Sequence, residues 1–101
     1  MRLGLNIEYD GKSYDILELP LEAFVQMVPG LTEDQFLLLD KYFADFWPES
    51  TQRRHHILNF AAEQVGASLD YLLLNRESIH FDEADMAEYV QRCTKQGNRP
   101  S

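Results

Sequence analysis

A turn signal at Asp10-Gly11 governs the pairing of the first residues of this chain. The dipeptide suits a two-residue type I′ turn, because both central positions of that turn need a positive φ. Apolar and polar residues alternate on both sides of it, as they do in strands with one buried face. We therefore predict an N-terminal β-hairpin over about residues 2–19, in which Tyr9 lies opposite Lys12.

The register of this hairpin assigns its side chains to two faces. It pairs Ile7 with Tyr14 and Leu5 with Ile16, and successive side chains alternate between the faces. The apolar face then holds Leu3, Leu5, Ile7, Tyr14 and Ile16, and the polar face holds Asn6, Glu8, Ser13 and Asp15. An isolated two-stranded hairpin is only marginally stable in water, so its apolar face must be covered by helices or by a strand of another chain.

Short helices follow the hairpin, and a capping box is the clearest of their start signals. Pro20 suits the first turn of one helix, and Thr32 with Gln35 forms the capping box of the next. The buried stripe of that second helix would comprise Phe36, Leu39, Tyr42, Phe43 and Phe46, with Trp47 at its end. Later helices are expected from Ser50 or Thr51 to Val65 with Gly66 just past the end, from Ser68, and from Asp82.

These elements predict an α+β fold, in which the β-hairpin is followed by a bundle of four to five short helices. The length of 101 residues fits one hydrophobic core. We expect a single domain over residues 1–95 and a flexible tail over residues 96–101, which are polar and include Gly and Pro.

Acidic residues outnumber basic ones, and they are concentrated in the first half of the chain. The net charge is −8, from 17 Asp and Glu against 9 Lys and Arg. Residues 1–50 carry ten acids and three bases, a net charge of −7, whereas the second half is nearly neutral. Such a charge keeps a small domain soluble, and it also suits an acidic docking face. It repels nucleic acid phosphates and favours basic protein surfaces.

Several classes of chemistry lack their usual sequence signals. Cys93 is the sole cysteine, so no internal disulfide forms, and no apolar run approaches the roughly 18 to 20 residues that cross a bilayer. The phosphate-loop, nucleophile-elbow, zinc-helix and calcium-loop motifs are missing. We expect a cytoplasmic protein that is not an enzyme and binds no cofactor and no metal.

A short basic patch interrupts the acidic background at Arg53, Arg54, His55 and His56. On a helix the two histidines point about 100° apart, so they do not chelate one metal ion together. The patch either balances the acidic first half through solvated ion pairs or contacts a phosphate backbone or an acidic partner. Both roles stay open from the sequence.

The run ILNFAAEQVGASLDYLL, residues 57–73, resembles the last two helices of lambda-repressor-like helix-turn-helix domains. In that family these residues supply packing, and the helix that reads DNA lies upstream. Here the upstream segment, Phe43 to Pro48, is aromatic and acidic instead of polar. The resemblance implies a transcriptional regulator, with the basic patch near the phosphates, as an alternative function.

A second resemblance concerns the layout of the whole chain. The opening IEYDGKSY, residues 7–14, followed by Leu19-Pro20-Leu21 and short helices, resembles small phage tail-assembly chaperones. That resemblance implies a non-catalytic protein that shields aggregation-prone regions of a tail component before assembly. It transfers no functional residue.

These observations lead to a prediction of a small acidic protein-binding module, such as a phage or mobile-element accessory protein. It would act as an assembly chaperone or as a stoichiometric inhibitor of a host protein with a basic surface. Charge would steer the encounter and aromatic anchors would supply affinity. The candidate anchors are Tyr9, Tyr14, Phe46 and Trp47, and the candidate acids are Glu18, Glu33, Asp34, Asp40 and Asp45. Nucleic acid and membrane partners are not expected, and a homodimer stays open because the hairpin has two edges.

Overall fold

The computed structural model describes residues 4–28, 30–74 and 77–97, with side chains up to residue 94. Two antiparallel strands, a short 3₁₀ helix and five α-helices follow one another along the chain. They are β1 (Asn6–Tyr9), β2 (Lys12–Asp15), the 3₁₀ helix Ile16–Glu18, α1 (Leu21–Gln26), α2 (Glu33–Phe43), α3 (Ser50–Gln64), α4 (Leu69–Leu74) and α5 (Glu83–Gly97). The predicted α+β fold, a hairpin followed by short helices, is confirmed.

The hairpin has the predicted turn and register. Asp10 and Gly11 have φ values of 52° and 78°, as a type I′ turn requires. Tyr9 pairs with Lys12, and Ile7 pairs with Tyr14 on the face that packs against the core. The helices therefore supply the cover that an isolated hairpin lacks.

Asp15 corrects two details of the predicted hairpin. We expected it on the solvent face of a strand that continued to about residue 19, but it is only 1% exposed and the strand ends there. Its carboxylate accepts hydrogen bonds from the backbone N–H groups of Gly4, at 2.9 Å, and Leu17, at 3.1 Å. The second bond caps the 3₁₀ helix and bends the chain away from the strand direction. These hydrogen bonds offset the cost of burying a carboxylate.

The capping box at the start of α2 forms as predicted. The Thr32 hydroxyl accepts from the N–H of Gln35, and the Gln35 side chain accepts from the N–H of Thr32. The Gln35 amide also donates to the carbonyl of Ile79, 3.2 Å away. This third bond ties the start of α2 to the segment that precedes α5.

The end of α3 and the start of α5 lie where the sequence predicts them, and α5 is longer than predicted. Gly66 follows α3 with a φ of 66°, and the carboxylates of Asp82 and Asp85 exchange hydrogen bonds with each other's N–H groups at the start of α5. Helix α5 runs to Gly97, two residues into the segment expected to be a tail. The rest of that tail, residues 98–101, lies outside the described residues.

The core is an aromatic cluster between α2, α3 and α5. The ring of Phe43 contacts Trp47 with 5.2 Å between ring centroids, Tyr89 with 5.7 Å and Phe60 with 6.0 Å. Edge-to-face and offset pairs of this kind add stability beyond the area they bury. Phe46, predicted to complete the buried stripe, is 43% exposed instead. It lies past the end of α2, where the N–H groups of Phe46 and Trp47 both bond to the Phe43 carbonyl and form one further turn.

Each helix of the described residues is too short or too polar to cross a membrane.

Gly30 lies where the segment before α5 crosses the end of α1. A Cβ atom at Gly30 would come within 2.2 Å of the Glu77 carbonyl oxygen, and the Gly30 carbonyl accepts from the N–H of Ile79. We expect Gly30→Ala to lower the free energy of unfolding by about 2 to 4 kcal/mol, because backbone atoms must move to relieve the overlap. Urea denaturation followed by circular dichroism measures this change.

Gly66→Ala is the matched control for that substitution. Gly66 also has a positive φ, but an added Cβ would meet no atom within 4 Å, so only backbone strain of about 1 kcal/mol is expected. If Gly30→Ala lowered the free energy of unfolding by no more than Gly66→Ala does, the close packing at Gly30 would be contradicted.

Candidate functional site

The outer face of α2 carries the exposed acidic side chains that the sequence singled out. Glu33, Asp34 and Asp45 are exposed, and among the described residues none of the three forms an ion pair or a side-chain hydrogen bond. Glu18 is also exposed, at the end of the 3₁₀ helix. Asp40 differs from Glu33, Asp34 and Asp45, since it pairs with Arg53 of α3.

Leu37 and Leu38 are apolar residues of this face that the sequence analysis missed. They are 44% and 47% exposed, whereas the neighbouring Leu39 is fully buried. A helix turns by about 100° per residue, so three consecutive leucines cannot all face one core. The Leu37-Leu38-Leu39 run was therefore a signal for exposed apolar surface.

A line of three apolar side chains runs along α2, and we call Leu38, Tyr42 and Phe46 the α2 stripe. They are spaced four residues apart, and the N–H of Phe46 bonds to the Phe43 carbonyl at 3.0 Å, which continues the helical path beyond α2. The rings of Tyr42 and Phe46 are in contact, with 5.9 Å between their centroids. Phe46 is thus the one predicted anchor that belongs to the acidic face of α2.

A hollow of about 260 Å³ opens beside the α2 stripe. Its walls are Leu38, Lys41, Tyr42 and Asp45. It therefore combines two members of the stripe with one base and one of the exposed acids.

The two predicted tyrosine anchors lie on the hairpin and are partly buried. Tyr14 packs against the core, as does Tyr9, whose hydroxyl donates to the Glu22 carboxylate at 3.4 Å. The negative charge of Glu22 raises the pKa of Tyr9 above its ordinary value. A second hollow, of about 350 Å³, is lined by Pro20, Leu21, Glu22 and Glu33.

Trp47 is not an exposed anchor, which corrects the sequence prediction. Its side chain is 8% exposed, and its ring stacks on His56 with 3.7 Å between ring centroids. It also contacts Phe43 in the aromatic core. The turn after α2 carries Trp47 inward and leaves Phe46 outside.

Arg53 and Arg54 also point inward, so the predicted basic patch is not a free cationic surface. Arg53 bonds to Asp40 and donates to the carbonyls of Trp47 and Pro48, at 3.1 and 2.9 Å. Arg54 donates to the carbonyls of Leu17 and Leu19, and its guanidinium lies 5.0 Å from the centre of the Phe24 ring. The two guanidinium groups therefore donate to backbone carbonyls of the loops that flank α1 and α2. These internal hydrogen bonds occupy donors that would otherwise be available to a phosphate or an acidic partner.

Burial disfavours the charged form of both histidines of the patch. Burial lowers the pKa of both, and that of His56 falls to about 4, with a smaller contribution from His55. His56 Nδ1 lies 2.9 Å from the Tyr89 hydroxyl, and His55 Nε2 lies 3.0 Å from the Asn59 amide nitrogen. The patch therefore consists of two arginines engaged in internal contacts and two imidazole rings whose protonation is disfavoured by burial.

A polar hollow of about 430 Å³ lies between α3 and α5. Its walls include His56, Asn59, Tyr89 and Cys93, and the ion pair of Arg92 with Glu63, at 2.6 Å, lies at its edge. Burial raises the pKa of Tyr89. No cluster of three metal-ligating side chains occurs in the part of the chain that the structure describes.

Comparison with protein-family models, with curated proteins and with solved structures finds no match to this chain. The functional assignment therefore depends on the charge and geometry of its surface.

The low pKa of His56 predicts a pH-dependent stability. Its folded-state pKa of about 4 lies below the ordinary value of 6.5, so the unfolded chain binds the proton more readily. The contribution of His56 to stability is complete above about pH 6.5 and declines as the pH falls towards 4. We expect the free energy of unfolding of His56→Phe to fall less than that of the unsubstituted chain over this window, in urea titrations at each pH.

His80→Phe is the control, because His80 is exposed on the surface. It should retain the pH dependence of the unsubstituted chain. An identical pH dependence in His56→Phe and in the unsubstituted chain would contradict a buried neutral imidazole at position 56.

Proposed function

We propose that this chain is a small acidic, non-catalytic protein-binding module that docks stoichiometrically on the basic surface of a protein partner. Within that class we propose an accessory protein of a phage or mobile element, acting as an assembly chaperone or as an inhibitor of a host protein. The resemblance of the hairpin and the following helices to small phage tail-assembly chaperones is the ground for this narrower assignment.

The difference between engaged bases and unpaired acids carries the proposal. Arg53 and Arg54 form hydrogen bonds and an ion pair within the protein. Three acids, in contrast, are exposed and form no ion pair among the described residues: Glu33, Asp34 and Asp45. The charges of these three carboxylates thus act on the surroundings of the protein. A field of this kind raises the rate of encounter with a basic surface and disfavours acidic ones.

Apolar side chains beside the acids supply binding energy that charge alone does not provide. Charge mostly sets the encounter rate and the choice of partner, while a few well-packed apolar or aromatic residues carry most of the binding energy. The α2 stripe places such residues next to Asp34 and Asp45, and the half-exposed Leu37 adds to them. Acidic steering and apolar anchoring therefore share one face of α2.

The alternative function, a transcriptional regulator, has less support. It requires cations near the DNA phosphates, but Arg53 and Arg54 have their donors in internal hydrogen bonds. The helix upstream of α3 presents acids to solvent. A gel shift with genomic DNA fragments at about 50 mM salt, where phosphate contacts are strongest, tests this alternative.

Two double charge-reversal variants, which change the net charge of the protein by the same amount, test the proposed function. The partner is first captured from the native host with the tagged 101-residue chain and then purified. We expect Asp34→Lys/Asp45→Lys to lower its association rate constant by about tenfold at low salt, with the difference shrinking as salt screens the charges. Stopped-flow mixing measures these rates over a series of salt concentrations.

Asp70→Lys/Glu83→Lys is the matched control. It alters the net charge equally, and Asp70 and Glu83 are exposed in the first turns of α4 and α5. It should slow association much less, and circular dichroism should show both variants folded. Equal slowing by both pairs, or no slowing by the α2 pair, would contradict an acidic docking face on α2.

A further inference from the structure

We infer that the α2 stripe and its flanking acids form a docking site for a basic amphipathic helix of the partner protein. The inference rests on the proposed function, and it specifies which surface binds and what kind of segment it binds. Three observations support it: the shape of the hollow beside the stripe, the placement of the charges along it, and the charge of a second copy of this chain.

The hollow has the residue spacing of a helix-packing site. Its four walls, Leu38, Lys41, Tyr42 and Asp45, are related as i, i+3, i+4 and i+7 along the chain. Four residues of one helix form the hole that receives a single side chain of a facing helix in knobs-into-holes packing. The volume of about 260 Å³ leaves room for a side chain such as Leu or Ile. The hollow therefore suits a facing helix better than a flat surface.

The α2 stripe continues this site along the helix axis. Leu38 and Phe46 are 47% and 43% exposed, and Tyr42 lies between them. At 1.5 Å per residue, the stripe extends about 12 Å, or two helical turns. Single exposed apolar side chains are ordinary on protein surfaces, but a contiguous row of them marks an interaction site. A partner helix would place apolar residues against it at spacings of three and four.

The flanking charges specify the sequence of the partner helix. Asp34 lies one turn before Leu38 and Asp45 lies beside Phe46, so the two acids are about 16 Å apart along the axis. The carbonyl groups at the end of α2 add negative potential near Asp45. Lys41 lies between the two acids, nearer to Asp45. The complementary helix therefore carries Lys or Arg near both ends of its apolar stripe and a neutral or acidic residue between them.

The same charges argue against a second copy of this chain as the occupant. In a twofold dimer the same face meets itself, so the acids of one copy approach those of the other. Each copy also has a net charge of −8. Opposed like charges cost several kcal/mol at an interface. A basic helix removes this repulsion and is the occupant that we propose.

Designed peptides test the inference on the 101-residue chain. The first is a fluorescent helix of about 16 residues with a Leu stripe, Lys at both ends and Glu at its centre. The second replaces each Lys by Glu, and the third has the composition of the first with its leucines scattered around the helix. We expect fluorescence anisotropy to show saturable binding of the first peptide, and binding at least about tenfold weaker for the other two.

Two substitutions locate the binding site. Leu38→Ser and Phe46→Ser should each weaken binding of the first peptide by about tenfold, since each removes an apolar contact. Leu21→Ser is the matched control, because Leu21 is similarly exposed, at 41%, but lies on α1. It should leave the affinity unchanged, and urea titrations should show all three variants folded.

Several outcomes overturn the inference. They are a lack of saturable binding by the first peptide, equal binding of all three peptides, and unchanged affinity in Leu38→Ser and Phe46→Ser. A dimer in light scattering that Leu38→Ser dissociates would assign the stripe to a second copy. If capture of the native partner depends on Asp34 and Asp45 but not on Leu38 or Phe46, the helix-docking inference fails while the proposed function stands.

Discussion

The packing of the Phe43 ring determines how the rest of this molecule is arranged. Phe43 contacts Trp47, Phe60 and Tyr89, so one side chain of α2 joins the turn after it, α3 and α5. With Phe36 and Leu39 also fully or nearly fully buried, this contact sets the rotation of α2 about its axis. The opposite side of α2, with its leucines and acids, must then face solvent.

The same cluster decides which charges reach the surface. It draws Trp47 inward, and Trp47 in turn stacks on His56, whose pKa is lowered by burial. Arg53 and Arg54 lie on the same helix as His56 and donate hydrogen bonds to backbone carbonyls of the loops that flank α1 and α2. Internal contacts thus engage the two arginines of the basic patch, whereas Glu33, Asp34 and Asp45 form no ion pair among the described residues.

Local signals predicted most of the fold, and contacts distant in sequence explain where prediction failed. The Asp10-Gly11 turn and the Thr32–Gln35 capping box depend on neighbouring residues, and both form as expected. The burial of Asp15, and the engagement of Arg54 with carbonyls 35 and 37 residues earlier, depend on tertiary packing that no local pattern encodes. Leu38 was predictable in principle, since three consecutive leucines on a helix cannot all be buried.

Chemical-shift mapping of the 101-residue chain with its purified native partner tests the central claim most directly, because it reports the contact surface residue by residue. The account predicts that amide shifts on binding concentrate along the outer face of α2, at Asp34, Leu38, Lys41, Tyr42, Asp45 and Phe46. Shifts concentrated around the hollow between α3 and α5, at Asn59, Glu63 and Arg92, with α2 unaffected, would contradict it.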